Sequence, residues 1–300
     1  MSTSPCNTAL VFLKRSAATV LGVSGLFCIF ASSPVVAKQP PSADNRYEVI
    51  DPEEGERRMN MFRRQRLDGD YCFRFELEHL PRRGKTIRYY GTMWGSWNEQ
   101  GPVTRIQVAS EPGVLVANDD KQIEMILQNG PSPYAWLRGS LTEDFVELSG
   151  DALLSPILPE IVYAPFDMQM PFLYWDDFRY EGPVRVKSRI AQTFLMLPPD
   201  DVGWANSVRV GIDDAYNALL RIEVMSADSE PRSQFTVESF KKVQEQWIVK
   251  RITLKDNETG DRTRFKVRAA SVGLILPEEI FLPEVNVSFP TIPESMFEIL

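Results

Sequence analysis

The sequence predicts a β-dominated α+β fold, and three observations predict it. The second half of the 300-residue chain is a ladder of strand-length segments, VRVKSRIAQTFLML, SVRVGID, NALLRIEVM, SQFTVESFKKV, EQWIVKRITLKD and DRTRFKVRAA, separated by short polar breaks. Most of these alternate apolar and polar residues, the pattern of an antiparallel sheet with one dry and one wet face. Amphipathic helix is scarce, being limited to one N-terminal segment and a proline-broken stretch in mid-chain. A dry face that large needs cover, so the sheet must curl on itself, carry a short lid or hold an apolar ligand.

The N-terminus reads as a secretory signal rather than as part of the fold. Lys14 and Arg15 precede the uncharged stretch Ala17 to Ala31, and the small residues Val35 and Ala37 have the spacing of a signal-peptidase site. The apolar run falls short of the roughly 20 residues a membrane span needs, although an uncleaved N-terminal anchor is the alternative. Phe27 directly before Cys28 argues against a lipidated cysteine. The expected organisation is therefore a signal peptide over 1–37, a flexible Pro-rich leader over 38–50 and one domain over 51–300. Removal of Lys14 and Arg15 makes a chain of formal charge −8 more acidic still, which argues against nucleic acid and against strong attraction to anionic lipid. Cys6 and Cys28 would leave with the signal, so Cys72 remains alone and no disulfide framework is expected.

Asp51-Pro52-Glu53-Glu54 has the signs of a helix start: a capping acid, a proline in the first turn and acids at the positive end of the dipole. This helix should run to about Leu67, presenting Met59 and Phe62 to the core, with Arg63, Arg64 and Arg66 at its end. YCFRFELEHL and KTIRYYGTMW, joined by PRRG, read as a hairpin, followed by strands at VTRIQVA, KQIEMILQ, PYAWLRG and DFVELSG. Prolines 156, 159, 165 and 171 then exclude a central strand or a long helix from residues 152–180. Two short helical pieces, about Leu153 to Ile161 and Pro171 to Phe178, are expected there. After the second ladder, prolines 277, 283, 290 and 293 make the C-terminus an irregular strap.

Catalytic patterns are weak. His79 is the single histidine, read as a surface residue at a strand end, and neither a nucleophile elbow nor a metal-ligand spacing accompanies it. The doublets Asp119-Asp120, Asp176-Asp177, Asp200-Asp201 and Asp213-Asp214 could supply the paired carboxylates of a glycosidase, but all fall at breaks in the ladder, where turn roles suffice. No catalytic residue, metal or cofactor is assigned. The segment around Tyr163, Phe166, Met168, Met170, Phe172, Trp175 and Phe178 has two readings: a plug in a solid core, or a mobile lid over an apolar cavity for an acyl chain.

The order of parts resembles the periplasmic lipoprotein carriers of the LolA/LolB-like superfamily, and residues 180–267 resemble the outer-membrane lipoprotein-sorting type. YEGPVRVKSRIAQTFLMLPPDD, VRVGIDDAYNALLRIEVMSADSEPRSQF and FKKVQEQWIVKRITLKDNETGDRTRFKV carry the resemblance, with a looser match in YCFRFELEHLPRRGKTIRYYGTMWG. It implies an unclosed barrel: one strongly curved antiparallel sheet whose apolar hollow, covered by short helices, shelters lipid or lipoprotein acyl chains in the periplasm. Shelter is needed because each methylene buried is worth about 0.8 kcal/mol. It also implies donor and acceptor proteins of the envelope, transient membrane contact, and an arginine that holds the lid shut, for which no position is assigned. Expected contributors to the hollow are Trp94, Trp136, Met168, Met170, Phe172, Trp175, Phe178, Phe194 and Trp247, the inward face of each strand being a period-two inference. A regulatory or sensor domain on the same fold, binding an envelope protein, is the rival reading, and an envelope hydrolase a second.

Overall fold

The ladder forms, and it forms as one continuous sheet. The computed structural model describes residues 49–112, 122–139, 143–283 and 289–300; the expected signal segment, the leader up to residue 48 and the Asp119-Asp120 doublet lie outside the described residues. Helix α1 (Pro52–Arg63) leads into β1 (Asp70–Leu80), β2 (Ile87–Asn98), β3 (Gly101–Ala109), β4 (Ile123–Gln128), β5 (Tyr134–Arg138) and β6 (Val146–Leu148). The short helix α2 (Pro165–Gln169) interrupts. Then come β7 (Phe178–Val186), β8 (Arg189–Met196), β9 (Val208–Asp213), β10 (Leu219–Met225), β11 (Pro231–Val243), β12 (Gln246–Asp256), β13 (Arg262–Leu274) and β14 (Glu298–Ile299). Hydrogen bonding follows the order β6-β5-β4-β3-β2-β1-β13-β12-β11-β10-β9-β8-β7, antiparallel throughout, with β14 beside β13.

This order makes two meanders that meet where β1 pairs with β13, and among the described residues it leaves β6 and β7 as opposite, unpaired edges. Residues 149–177 connect those two edges, so the proline-broken segment has to cross the face of the whole sheet. The sheet is strongly curved. Gln169 at the end of α2 bonds the Tyr134 carbonyl of β5 at 2.9 Å, while Phe166 in the same helix meets Trp204, just before β9, at 5.6 Å. A five-residue helix is only about 7.5 Å long; in a flat sheet those strands would lie about 40 Å apart.

One face of nearly every strand belongs to a single apolar cluster, with Phe73, Met93, Ile106, Met125, Phe194, Val210, Ile252 and Phe265 among its members. Gly91 and Gly95 make room for it, since a Cβ at either would strike the ring of Phe75 or Tyr71 from the neighbouring strand. The opposite face of the N-terminal meander is covered by the C-terminal strap, where Leu276, Ile280 and Phe281, with Leu274 at the end of β13, pack against Cys72, Trp94, Val103 and Ile126. Edge strand β7 carries Gly182 at φ +101° and Pro183, which interrupt the row of donors it would otherwise offer to another chain.

Helix α1 begins as predicted, with the Glu54 N–H donating to Asp51 Oδ1 at 2.8 Å. It ends at Arg63 rather than Leu67, although Leu67 is still buried. Three further differences have physical causes. VRVKSRIAQTFLML is two strands, because Lys187 adopts φ 55° and turns the chain without a Gly, Asn or Pro to mark it. The first helical piece expected in mid-chain is only a 3-10 turn over Gly150–Leu154, since Pro156 and Pro159 remove donors and the Ile157 N–H is taken by the Tyr163 carbonyl at 3.0 Å. The second is a 3-10 turn over Pro171–Tyr174, with Phe178 already in β7. His79 is buried, not at the surface, with Nδ1 3.4 Å from Thr263 Oγ1.

Candidate functional site

The crossing segment is built to bend. Pro165 opens α2, and the Asp167 carboxylate accepts from the Ala164 N–H at 2.9 Å. Met170 ends it in the left-handed region (φ 52°), a conformation that costs a non-glycine residue about 1 kcal/mol or more. Side chains from both sides hold this corner. Asn129 Nδ2 donates to the Gln169 carbonyl at 2.6 Å, and Gln169 Nε2 donates to the Gln128 carbonyl at 2.7 Å.

Apolar side chains of the segment point into the curved sheet. Phe166, Phe172 and Trp175 form a ring cluster with centroids 5.3–6.3 Å apart, and all three join the main core with Met168 and Met170. Phe194 is buried in the same cluster, and Phe178 packs against it edge to face at 5.9 Å. Six of the nine residues expected at the hollow are therefore together. The other three are not. Trp94 and Trp136 lie on the opposite face, Trp94 stacked on Phe289 of the strap at 4.4 Å, because their strands present odd-numbered residues inward over this stretch. Trp247 is 44% exposed beside the β11–β12 turn, while the next residue, Ile248, is the buried one.

Sequence reasoning assigned no latch to this segment; the structure supplies one in Arg63. Its Nε donates to the Leu173 carbonyl at 2.6 Å and its Nη2 to the Trp175 carbonyl at 2.5 Å, with the guanidinium 5.4 Å from the Phe178 ring. An arginine in the last turn of a helix is ordinarily explained by the helix dipole, which is why its sequence position carries no signal of this role.

Alongside the segment lies a pocket of about 750 Å³, lined by Leu154, Pro156, Ile161 and Val162 together with His79, Asp167 and Arg232. Burial dominates its electrostatics. It pulls His79 below its usual range; next to the pocket, burial also pushes Tyr163, whose hydroxyl has no hydrogen-bond partner among the described residues, well above its own. Burial also pushes Asp167 up from 3.8 to about 6, against the Ala164 hydrogen bond and the Arg232 charge. A carboxyl whose folded-state pKa is raised stabilises the fold when protonated, so this contribution is complete below about pH 3.8 and is lost as pH rises through 6. We expect the wild type to lose about 2–3 kcal/mol more than Asp167→Asn between pH 4 and pH 7, from chemical denaturation at each pH. Parallel pH profiles for the two proteins would mean that the carboxyl is solvated.

Two of the remaining candidates have structural roles. Cys72 is buried with its thiol pushed up to about 12, mainly by desolvation, which leaves it no thiolate for chemistry. Asp213 accepts from the N–H groups of Ala215 and Tyr216 and pairs with Arg189 at 2.8 Å, and Asp214 pairs with Arg58, so this doublet builds a turn. Among the described residues no group of three or more His, Cys, Asp or Glu side chains is placed to hold a metal.

Comparison with known proteins agrees with this architecture. A family described as "Uncharacterized protein" matches residues 175–285, and no curated protein matches. Among solved structures, a DUF1329 family protein from Desulfovibrio piger superposes with a TM-score of 0.63 at 11% identity, over 78% of this chain and 98% of that one. A domain described as an outer membrane lipoprotein-sorting protein, from Vibrio parahaemolyticus, gives 0.61 at 13% identity, over 76% and 93%. A LolA superfamily protein from Nitrosomonas europaea gives 0.53 at 13% identity, over 72% and 90%. At these identities the likeness concerns architecture: the chain has a LolA-like fold, an open and curved antiparallel sheet crossed by a short helical segment.

Proposed function

We propose that this protein is a periplasmic carrier, exported by a cleaved signal over residues 1–37, that binds lipid or lipoprotein acyl chains in the hollow of residues 51–300 without catalysing a reaction. The observation that carries the reading is the edge-to-edge segment: its Met and aromatic side chains fill an apolar hollow that the sheet itself leaves open. An acyl chain would take the place of Met168, Met170, Phe172 and Trp175, and meet Phe178 and Phe194 behind them. Methionine and aromatic rings suit both states, since they pack irregular apolar surfaces with little directional demand. A neighbour in fold that is named for outer membrane lipoprotein sorting supports a role in delivery to the outer membrane, with envelope proteins as donor and acceptor.

One observation favours a second reading, a sensor domain that binds an envelope protein. The hollow is occupied by the chain's own side chains, as a solid core would be. The two readings part in one experiment. Protein purified from envelope extracts is analysed for bound lipid by mass spectrometry, and hydrogen exchange of residues 150–177 is followed as a lipidated peptide is added. Co-purifying acyl lipid, with faster exchange across the segment on loading, is the expected result. A lipid-free protein whose segment stays protected would replace the carrier with the sensor.

A further inference from the structure

The outer face of the sheet concentrates charge where its central strands run side by side. Strand alternation brings Glu76 and Glu78 of β1, Arg88 of β2, Arg251 of β12, and Arg264, Lys266 and Arg268 of β13 around one open pocket of about 340 Å³. Five of these seven are cations, in a chain of formal charge −8. Its two carboxylates are already engaged. Glu76 is held by Arg268 and by Arg88 at 3.1 Å, and Glu78 by Arg88 at 2.9 Å and Arg264 at 3.0 Å. The nearest further acid, Glu238 of β11, stands 3.9 Å from both Arg251 and Arg264 and accepts instead from Thr253 at 3.0 Å.

What remains is unbalanced. Lys266 faces Arg251 directly across the β12–β13 pair and is flanked on its own strand by Arg264 and Arg268; Glu76, opposite it across the β1–β13 pair, is paired with Arg268 and Arg88, and Lys266 makes no ion pair among the described residues. Like charges directly opposed on neighbouring strands destabilise a sheet. The Nε atoms of Arg251 and Arg264 are buried without an acceptor among the described residues, and an unsatisfied buried donor costs about 1–3 kcal/mol. Burial and the neighbouring guanidinium groups of Arg268 and Arg251 hold the Lys266 ammonium below its usual range. An ion-pair ladder meant only to solvate the sheet would show neither the opposed cations nor the orphaned donors. A multivalent oxyanion resolves both at once, because guanidinium forks match its geometry and a lysine adds a point charge.

We propose that this outer-face pocket binds a phosphate group, held by Arg251, Arg264 and Lys266. The phosphate could be free or belong to an anionic phospholipid headgroup. The site lies on the face opposite the hollow and stands whether or not the hollow takes an acyl chain.

The test uses the full-length mature protein, wild type and the double variant Arg251→Gln/Lys266→Gln. Because that variant relieves an opposed cation pair, it should fold with an unchanged or higher Tm. Inorganic phosphate is titrated calorimetrically against sodium chloride at matched ionic strength, and co-sedimentation is measured with phosphatidylglycerol vesicles against phosphatidylcholine vesicles. The expected result is saturable phosphate binding, weakened about tenfold or more in the variant, equivalent to about 1.4 kcal/mol. Recruitment to phosphatidylglycerol vesicles that phosphate competes away identifies the headgroup as the source; phosphate binding without recruitment identifies the free ion. Wild type and variant responding alike to phosphate and to both vesicle types would overturn the proposal.

Discussion

Glu124→Ala is expected to destabilise the protein by about 3–5 kcal/mol, read as a shift in urea midpoint at constant slope. Glu124 of β4 is 1% exposed and accepts from Arg105 Nε at 2.7 Å, Arg138 Nε at 2.7 Å and Gln107 Nε2 at 3.0 Å. Arg105 is itself fully buried. Its Nη1 donates to the Ile280 carbonyl of the C-terminal strap at 2.7 Å, and its Nη2 has no hydrogen-bond partner among the described residues. The rings of Phe145 and Phe289 close over the two guanidinium groups at 4.5–5.3 Å. Removing the carboxylate would therefore strand two buried cations beneath aromatic rings, where water cannot replace the lost charge. The cost lies in breaking the group rather than in lacking it. Replacing all three charges together (Arg105→Met, Glu124→Leu, Arg138→Met) should leave stability within about 1–2 kcal/mol of wild type. A single substitution costing under about 1 kcal/mol would show that solvent reaches the cluster.

Period-two alternation made the strands legible, and capping chemistry made the first helix legible. Asp51 and Pro52 mark the start of α1, and Asn257 to Gly260 close the β12–β13 hairpin, with Asp256 Oδ1 accepting from the N–H groups of Glu258 and Thr259. Which face of each strand turns inward was less legible, because it depends on register. Phe194 falls on the side of the hollow, whereas Trp94, Trp136 and Trp247 are a single position away from residues that do, Met93, Ala135 and Ile248. The burial of His79 and Glu124 depends on what crosses over them from distant parts of the chain, and no local pattern records that. The same holds for the latch. Arg63 meets carbonyls 110 and 112 residues away, a pairing that only the edge-to-edge path of the proline-broken segment creates.

That latch makes the carrier reading open to a direct mechanical test. Arg63→Ala would leave the Leu173 and Trp175 carbonyls without their charged donor and remove a cation from above Phe178. A charge-assisted hydrogen bond contributes about 1.5–3 kcal/mol, so a total loss of about 3 kcal/mol is expected. Arg63→Lys should recover part of it, since an ammonium lacks the planar fork that reaches two acceptors. Where the loss appears matters more than its size. If the segment is a removable cover, hydrogen exchange in Arg63→Ala accelerates across residues 165–175 while β1 and β13 keep their protection. Uptake of an acyl ligand should then strengthen, because less free energy is spent in displacing the segment. If exchange instead rises uniformly over the sheet and acyl uptake does not change, the segment is part of a solid core, and the hollow has no vacancy to offer.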